Sequence, residues 1–462
     1  MTRDISPLMR RVATDEFAAP QHTLADARAM ATTAASLDRL AQHATSEPLT
    51  VLHDRRATAA ALRALNEAWD ETYFDVPAEA TFDTEAAEAA FGGSDPLIDV
   101  QTHLVDAHKF HGELAKPLSG FLHTVDPQRW EGKLDGALLD AAAWAATVFG
   151  TSETSIAVLT STPGVRNGNV LHNGQIAAVR EVMDRYAGSG RLLSHTIVHP
   201  NIDGELAEMA QYAETLRPNG WKCYTLYGPP TRSCPKGGWF LDDPDVGFPF
   251  LDAVRALGPK LVATHKGLGG PIPNARVQAA SPRDIGPAAA AYPDITFLVY
   301  HSGYEINPDG YESAYAGNDD GVDRLITSLR NSNIPCNSNV YAELGSTWFL
   351  MLRRPREAAH VMGKLLNSVG SQRIIWGTDS IWYGSPQPLI DAFRAFVIPD
   401  RMQEEFGYPA ISAAMKEQML SANAQRVYSI DDATMRAAGR DRDRTWIPEA
   451  SRALLAAVDQ AR

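Results

Sequence analysis

The sequence contains little cysteine, with only Cys223, Cys234 and Cys336 among 462 residues. No two of them form a C-x-x-C pair, so a zinc site built from thiolates is not expected. An odd number of widely spaced cysteines is typical of a reducing compartment, and we expect a cytoplasmic protein.

Long apolar runs and positive charge are also scarce. No stretch of about 18 apolar residues occurs, so no transmembrane helix is expected. Arg10 and Arg11 are followed by Asp15 and Glu16 instead of an apolar segment, which argues against a twin-arginine export signal. With 42 Lys and Arg against 56 Asp and Glu, the net charge of −14 disfavours nucleic acid and anionic membranes as partners. We expect a small-molecule substrate instead.

Short β-rich runs recur along the middle of the chain and alternate with helical patterns. They are LIDVQ (97–101), SIAVLT (155–160), LLSHTIV (192–198), GWKCYTL (220–226), KLVATH (260–265), ITFLVYH (295–301), NVYAEL (339–344) and RIIWGTD (373–379). Helices between consecutive strands favour parallel pairing. Eight such units over roughly 330 residues predict an α/β fold, a (β/α)8 TIM barrel with an N-terminal helical extension and C-terminal helices.

The length of the chain is too great for one compact core, which seldom exceeds about 300 residues. Residues 1–93 are Ala-rich with apolar residues at helical spacing, and Gly92–Gly93 and Pro96 mark their end. We predict a helical N-terminal extension over 1–93, the barrel over 94–430 and a helical C-terminal tail over 431–462. Helices of this kind pack on a barrel or on a partner subunit, and we expect a homo-oligomer.

Polar residues gather where the β-rich runs end, at the face that carries the active site in such barrels. They are Asp99, Gln101 and His103 on the first run, Lys222 on the fourth, His265 on the fifth, His301 on the sixth, Glu343 on the seventh and Asp379 on the eighth, while the third leads into His199. Period-two alternation predicts that Asp99, Gln101 and His103 share one side of their strand. Each residue alone fits an ordinary packing or capping role. As a set, imidazoles and carboxylates are the ligands of zinc, iron and manganese.

With these residues in these positions, the sequence resembles the amidohydrolase superfamily, particularly its decarboxylase-like branch. The first-strand motif of that family, Asp-x-His-x-His, appears here as Asp99-Val-Gln101-Thr-His103. Lys222, His265, His301 and Asp379 match the residues of its fourth, fifth, sixth and eighth strands. The resemblance covers about residues 95–430 and implies a metal-dependent enzyme.

Gln101 departs from the family motif, because an amide oxygen is a weaker and harder ligand than imidazole. The site then either keeps one metal and uses Gln101 for substrate, or holds two metals with a mixed oxygen and nitrogen shell. Glu305, four residues after His301, adds a carboxylate to the second arrangement. The candidate metal ligands are Gln101, His103, His265, His301, Glu305 and Asp379, and the candidate catalytic residues are Asp379, Lys222 and Glu343.

The Gln-x-His variant with a long helical N-terminus also resembles a set of amidohydrolase-like barrels that hold two non-haem irons and activate dioxygen. They are associated with coenzyme A-linked substrates, including a diterpenoid step of platensimycin and platencin biosynthesis. This resemblance implies a diiron monooxygenase that hydroxylates an unactivated carbon, with two Fe ions, O₂ as co-substrate and an external reductant. The substrate would be a small organic molecule such as a coenzyme A thioester.

Two other interpretations stay open. One is a zinc or manganese hydrolase or decarboxylase with one or two metals, in which Asp379 acts as general base. A carboxylated Lys222 would bridge two metals there, whereas we expect the unmodified form. The other is a barrel kept for binding or assembly without catalysis. In either enzyme, an insertion over 228–249 is expected to form a lid or rim. Several aromatic residues are candidates for an apolar pocket wall, namely Trp221, Tyr224, Trp239, Tyr304, Trp348, Trp376, Trp382 and Tyr383.

Overall fold

Eight parallel strands form a single sheet in the computed structural model, which describes residues 54–93, 95–110, 136–162, 170–268, 277–305, 321–382, 384–440 and 444–462. The strands are β1 (Leu97–Thr102), β2 (Thr154–Leu159), β3 (Leu192–Ile197), β4 (Gly220–Tyr224), β5 (Leu261–His265), β6 (Thr296–Tyr300), β7 (Val340–Glu343) and β8 (Ile374–Ile375). They pair in chain order from β1 to β8. All eight predicted strands are confirmed, and so is the (β/α)8 barrel.

The first and last strands approach each other and nearly close the barrel. The backbone amide of Asp379 donates to Gln101 O at 2.9 Å, and an isolated parallel bridge joins Thr102 to Ser380. β8 spans only two residues, so this pairing lies beyond its end. It carries Asp379 alongside the end of β1, where the polar residues of β1 also lie.

Helices cover the outside of the barrel. In the described ranges they are α1 (Arg55–Trp69), α2 (Thr84–Phe91), α3 (Ala141–Ala145), α4 (Asn173–Tyr186), α5 (Glu205–Thr215), α6 (Gly247–Leu257), α7 (Val277–Ala280), α8 (Ile285–Ala291), α9 (Gly321–Asn331), α10 (Thr347–Leu352), α11 (Pro355–Ser368), α12 (Gln387–Ala395), α13 (Asp400–Phe406), α14 (Ala413–Glu417), α15 (Asn423–Val427), α16 (Asp432–Arg440) and α17 (Trp446–Gln460). None of these helices is long and apolar enough to cross a membrane.

Apolar side chains fill both faces of the sheet. Inside the barrel, Ile98 and Val100 of β1 belong to one buried cluster with Leu298 of β6. Met435 of α16 joins that cluster, which places α16 against the barrel interior. The opposite faces of the strands pack against the surrounding helices in a larger cluster. Such filling makes the barrel a packed core. The polar residues at the carboxyl ends of the strands, called the upper end of the barrel below, are therefore held on rigid strands.

The described part of the predicted N-terminal extension, residues 54–93, is helical and attached to the barrel. The side chain of Asp54 caps α1 by accepting from the amide of Arg56. Arg55 forms ion pairs with Glu153 and with Asp391 of α12. Residues 1–53 lie outside the described part of the chain, and the domain boundaries at 94 and 430 stay a prediction.

Candidate metal centre

A register shift in β1 separates Asp99 from the two polar residues that follow it. The pairing of β1 with β2 shifts between Asp99 and Thr102, which interrupts the strict alternation we expected. The Asp99 carboxylate accepts from the backbone amide of Thr378 at 3.0 Å and also from its hydroxyl. Burial raises the pKa of Asp99 to about 7. Asp99 therefore joins the ends of β1 and β8, whereas Gln101 and His103 reach Asp379.

Asp379 is the centre of the first group of candidate ligands. Gln101 Nε2 donates to Asp379 Oδ1 at 2.9 Å, and His103 Nε2 lies 2.8 Å from the same oxygen. His103 Nδ1 lies 2.9 Å from Thr160 O, and since a carbonyl only accepts, Nδ1 carries a proton. Ser346 Oγ donates to Asp379 Oδ2. All of these side chains are buried.

Gln101 Oε1 is buried and has no hydrogen-bond partner among the described residues. A buried acceptor left without a donor costs about 1–3 kcal/mol. A Cβ on Gly345 would lie 2.1 Å from this oxygen, so only glycine leaves room for the amide. A bound ion, water or substrate donor at this oxygen would remove the cost.

His265 and His301 form a second pair, with ring centroids 4.7 Å apart. His265 Nε2 donates to Gly267 O at 3.0 Å, and His301 Nδ1 donates to Gly345 O at 2.7 Å. In the neutral rings, the lone pair is then on Nδ1 of His265 and on Nε2 of His301. Both rings are fully buried at the ends of β5 and β6.

Glu343 holds the backbone of His301 and of Gly345 in place. Its carboxylate accepts from the amide of His301 at 3.0 Å and from the amide of Gly345 at 2.5 Å. Burial raises its pKa to about 8. A Cβ at position 377 would lie 2.0 Å from Glu343 Oε1. Glycine at this position after β8 therefore leaves room for the Glu343 carboxylate. Glu343 thus positions the loop that carries His301.

The backbone at the candidate site adopts unusual conformations. His301, Ser302, Ser346 and Asp379 have φ values of 63°, 55°, 53° and 60°, in the left-handed region that favours glycine. Each such residue costs of order 1–3 kcal/mol, and such costs gather at functional sites. Ser346 and Ser302 were not predicted as site residues. No sequence pattern distinguishes a serine with a left-handed backbone from a serine that caps a helix.

The Lys222 side chain contacts two tyrosine rings. Its Nζ is 3.3 Å from the ring centroid of Tyr300 and 4.5 Å from that of Tyr224. Tyr300 is fixed by its hydroxyl, which donates to Val100 O at 2.8 Å. The ring faces attract an ammonium group.

The remaining predicted residues are placed in several different ways. Glu305 is half-buried and follows a short 3₁₀ turn, His301–Gly303. Trp382 stacks on His103 with 6.0 Å between the ring centroids, and the Tyr224 and His265 ring centroids are 5.4 Å apart. The other described aromatic candidates belong to the larger apolar core, namely Trp221, Trp239, Tyr304, Trp348 and Trp376. Tyr383 lies outside the described residues.

A buried ion pair attaches the 228–249 insertion to the strand that carries His265. Lys266 Nζ lies 2.8 Å from Asp284 Oδ2, and both side chains are fully buried. The same carboxylate oxygen accepts from the amide of Leu241 at 2.7 Å. Sequence reasoning missed this pair, because Lys266 and Asp284 are distant from the insertion along the chain. The role of the insertion as a lid or rim stays a prediction.

The candidate ligands fit a metal in chemistry but form two pairs. Among the described residues, no three His, Cys, Asp or Glu side chains are grouped so that they could hold a metal ion. His103 with Asp379 makes one pair, and His265 with His301 makes the other. The imidazole tautomers and the buried oxygen of Gln101 suit zinc, manganese or iron. The predicted ligand set, with Glu305, therefore stays a prediction.

Comparison with known proteins gives a family match. A family model described as amidohydrolase matches residues 98–430. No curated protein matches the chain.

Similar solved structures include three barrel proteins. One is an uncharacterised TIM-barrel protein from Bordetella bronchiseptica, with 15% identity over 72% of this chain and 98% of that one. A second is a probable 2-pyrone-4,6-dicarboxylic acid hydrolase from Acinetobacter baumannii, with 13% identity over 72% and 99%. The third is a dihydroxybenzoic acid decarboxylase from Polaromonas with bound manganese, with 12% identity over 74% and 99%. All three have a TM-score of 0.43, too low to assign an activity.

Proposed function

The chain belongs to the amidohydrolase family, and on that premise we propose that it is a metal-dependent enzyme that hydrolyses or decarboxylates a small organic substrate. The family favours this chemistry over the monooxygenase that the Gln-x-His variant led us to expect. The reaction would take place at the upper end of the barrel, where the strands supply their polar residues.

The tautomers of three histidines carry the proposal. His103, His265 and His301 each donate one ring N–H to a backbone carbonyl oxygen. Metal-binding histidines are commonly held in this way, because the second nitrogen then presents its lone pair in a fixed direction. Asp379 adds a carboxylate from the chain after β8. As a set, three oriented imidazoles and one carboxylate after four different strands suit a transition metal.

The chain's own residues have distinct roles in this mechanism. The pair His103 and Asp379 and the pair His265 and His301 would each contribute ligands to bound metal, which supplies Lewis-acid chemistry when present. Asp379 would also take the proton that the reaction releases, as general base. Gln101 and Ser346 orient the Asp379 carboxylate by donating to its two oxygens.

Lys222 and Glu343 would act on the site through the residues that they contact. The Tyr300 ring face attracts an unmodified Lys222 ammonium and would repel the negative charge of a carboxylated lysine. Glu343 keeps His301 in its left-handed conformation by accepting from its amide. Both residues would therefore act on the shape and charge of the site.

A second candidate is the non-haem diiron monooxygenase, which uses O₂ to hydroxylate an unactivated carbon. The observation in its favour is the buried oxygen of Gln101, an oxygen donor that suits iron, together with two separate donor pairs. The coenzyme A-linked diterpenoid substrate, the external reductant and the homo-oligomer stay predictions.

Turnover of the reloaded protein separates the two candidates. Chelator-stripped protein is reloaded with Zn²⁺, Mn²⁺ or Fe²⁺ and supplied with carboxylic acids, lactones and thioesters, with and without O₂. Release of acid or CO₂ without O₂ supports the hydrolase or decarboxylase. Substrate-dependent O₂ uptake with Fe²⁺ alone supports the monooxygenase, and full turnover by the stripped protein contradicts both.

A further inference from the structure

Lys266 is a fully buried lysine that directly follows the candidate ligand His265. Its ammonium group lies 3.0 Å from Thr225 Oγ1, 3.3 Å from Ala279 O and 2.8 Å from Asp284 Oδ2. An ammonium group has three N–H donors, so these three acceptors use all of them. The side chain is therefore fixed in one position, and no step of the proposed reaction uses it.

The carboxylate of Asp284 is buried but only partly satisfied. Oδ2 accepts from Lys266 and from the amide of Leu241, whereas Oδ1 has no hydrogen-bond partner among the described residues. A buried acceptor without a donor costs about 1–3 kcal/mol, and a buried ion pair seldom stabilises a fold more than apolar residues would. Stability therefore gives a poor account of this pair, and its place beside His265 points to a positioning role.

The turn that follows β5 fixes the direction of the His265 ring. His265 Nε2 donates to Gly267 O at 3.0 Å, so the ring and the backbone two residues later hold each other. Gly267 has a φ of 80°, and its amide donates to Ala280 O at 2.7 Å. Lys266 lies between His265 and Gly267 in the chain. The hydrogen bonds of its side chain therefore hold the turn on which the orientation of the ring depends.

The same carboxylate also holds the insertion over 228–249. The amide of Leu241 donates to Asp284 Oδ2 at 2.7 Å, and the ring centroid of Phe240 lies 5.4 Å from Lys266 Nζ. An aromatic ring at this distance attracts an ammonium group. Leu241 and Phe240 are both fully buried. The insertion is therefore attached to the turn after β5 by a hydrogen bond and by packing.

We propose that Lys266 is a positioning residue for His265 and that Asp284 couples this position to the insertion, which forms a fixed rim and not a movable lid. This role rests on the proposed function, in which His265 contributes a ligand to the metal. Loss of a group that orients a metal ligand typically lowers metal affinity about 10–100-fold. Displacement of the insertion would therefore weaken metal binding through His265.

Nitrogen NMR of the metal-free, full-length protein tests the positioning role without metal or substrate. In wild type the His265 ring should be a single tautomer protonated at Nε2, with widely separated ring ¹⁵N signals. Lys266→Met should mix the two tautomers and bring these signals closer together. The signals of His103, whose ring donates to Thr160 O after another strand, should not move. His265→Gln identifies the His265 signals by removing them.

Two double variants cover a failure of Lys266→Met to fold, because that change leaves Asp284 buried without its cation. Lys266→Met with Asp284→Asn leaves no unpaired charge and keeps an acceptor for the Leu241 amide. Lys266→Met with Asp284→Leu removes that acceptor as well. The His265 signals should move in both double variants, whereas hydrogen exchange at the Leu241 amide should become faster only with Asp284→Leu.

Lys260→Met is the matched control, because it removes an exposed ion pair with Asp294 at the other end of the same strand. Neither the His265 signals nor exchange at the Leu241 amide should change. Unmoved His265 signals in the folded variants of Lys266, equal shifts in Lys260→Met, or rapid exchange of the Leu241 amide in wild type would overturn the proposal.

Metal titration separates this positioning role from the proposed function. Zn²⁺ should bind Lys266→Met with Asp284→Asn about 10–100-fold more weakly than it binds wild type. Equal Zn²⁺ affinity in the two proteins would overturn the positioning role. A wild type that binds no added Zn²⁺, Mn²⁺ or Fe²⁺ would count against the proposed function, and the His265 signals would still decide whether Lys266 positions the ring.

Discussion

Ser346 offers a pair of substitutions that separates backbone strain from side-chain bonding at the candidate metal centre. Its hydroxyl donates to Asp379, and its φ of 53° lies in the left-handed region. Ser346→Ala removes the hydroxyl and keeps the strain, whereas Ser346→Gly removes both. The order of stability of the two variants therefore reports the strain.

The expected magnitudes follow from these two features. A hydrogen bond to a charged, buried group contributes about 1.5–3 kcal/mol, so Ser346→Ala should lower the free energy of unfolding by that amount. Removing the strain of a left-handed residue with a Cβ stabilises the folded state by about 1–2 kcal/mol. Glycine loses more conformational entropy on folding than alanine, which costs about 0.5–1 kcal/mol. Ser346→Gly should therefore be about 0.5–1 kcal/mol more stable than Ser346→Ala.

Urea unfolding of the metal-free protein measures both differences. The matched control is Ser328, a buried serine inside α9, where glycine should be about 1 kcal/mol less stable than alanine. The order of the two variants thus reverses between Ser346 and Ser328. An alanine variant as stable as wild type, or a glycine variant no more stable than alanine at Ser346, would refute the reasoning. Both Ser346 variants should also bind metal more weakly, since neither orients Asp379.

Three further predictions concern charge and ligand type. Burial raises the pKa of Asp391 from its ordinary 3.8 to about 7. Between these two pH values the folded protein binds a proton that the unfolded chain does not bind. The free energy of unfolding therefore falls as pH rises across that window, by at most about 4 kcal/mol. Urea unfolding at several pH values should show that the free energy of unfolding of Asp391→Asn falls less with pH than that of wild type. An equal fall in both proteins would contradict this prediction. Gln101→His should shift metal preference toward zinc because imidazole replaces an amide, and an unchanged metal profile would remove Gln101 from the site. Lys222→Met should keep its metal and lose turnover, whereas loss of metal, measured by mass spectrometry, would indicate a bridging lysine.

The fold was predictable because each strand is a short apolar run between helical patterns. β8 was the least regular, since the predicted run over 373–379 pairs as a strand only over Ile374–Ile375. Beyond that point Gly377 approaches Glu343 and Asp379 takes a left-handed conformation. A sequence pattern reports burial and alternation but not such backbone geometry.

The candidate site was predictable in residue type and less so in its contacts. His103, His265, His301 and Asp379 are buried at the upper end of the barrel, as their positions after strands indicated. The register shift after Asp99 could not be read from a sequence that alternates regularly. Hydrogen bonds between distant segments, such as Ser346 to Asp379, depend on the closed barrel and have no local signal.

The metal content of the purified protein tests the central claim most directly. Inductively coupled plasma mass spectrometry is applied to wild type, His265→Ala, Asp379→Asn and, as a control, His360→Ala, a buried histidine on α11 that bonds to Tyr408. We expect a stoichiometric transition metal in wild type and His360→Ala, and its loss from His265→Ala and Asp379→Asn. Zinc or manganese would agree with the hydrolase or decarboxylase, and two irons with the monooxygenase. A metal-free wild type, or full occupancy in His265→Ala and Asp379→Asn, would contradict the account.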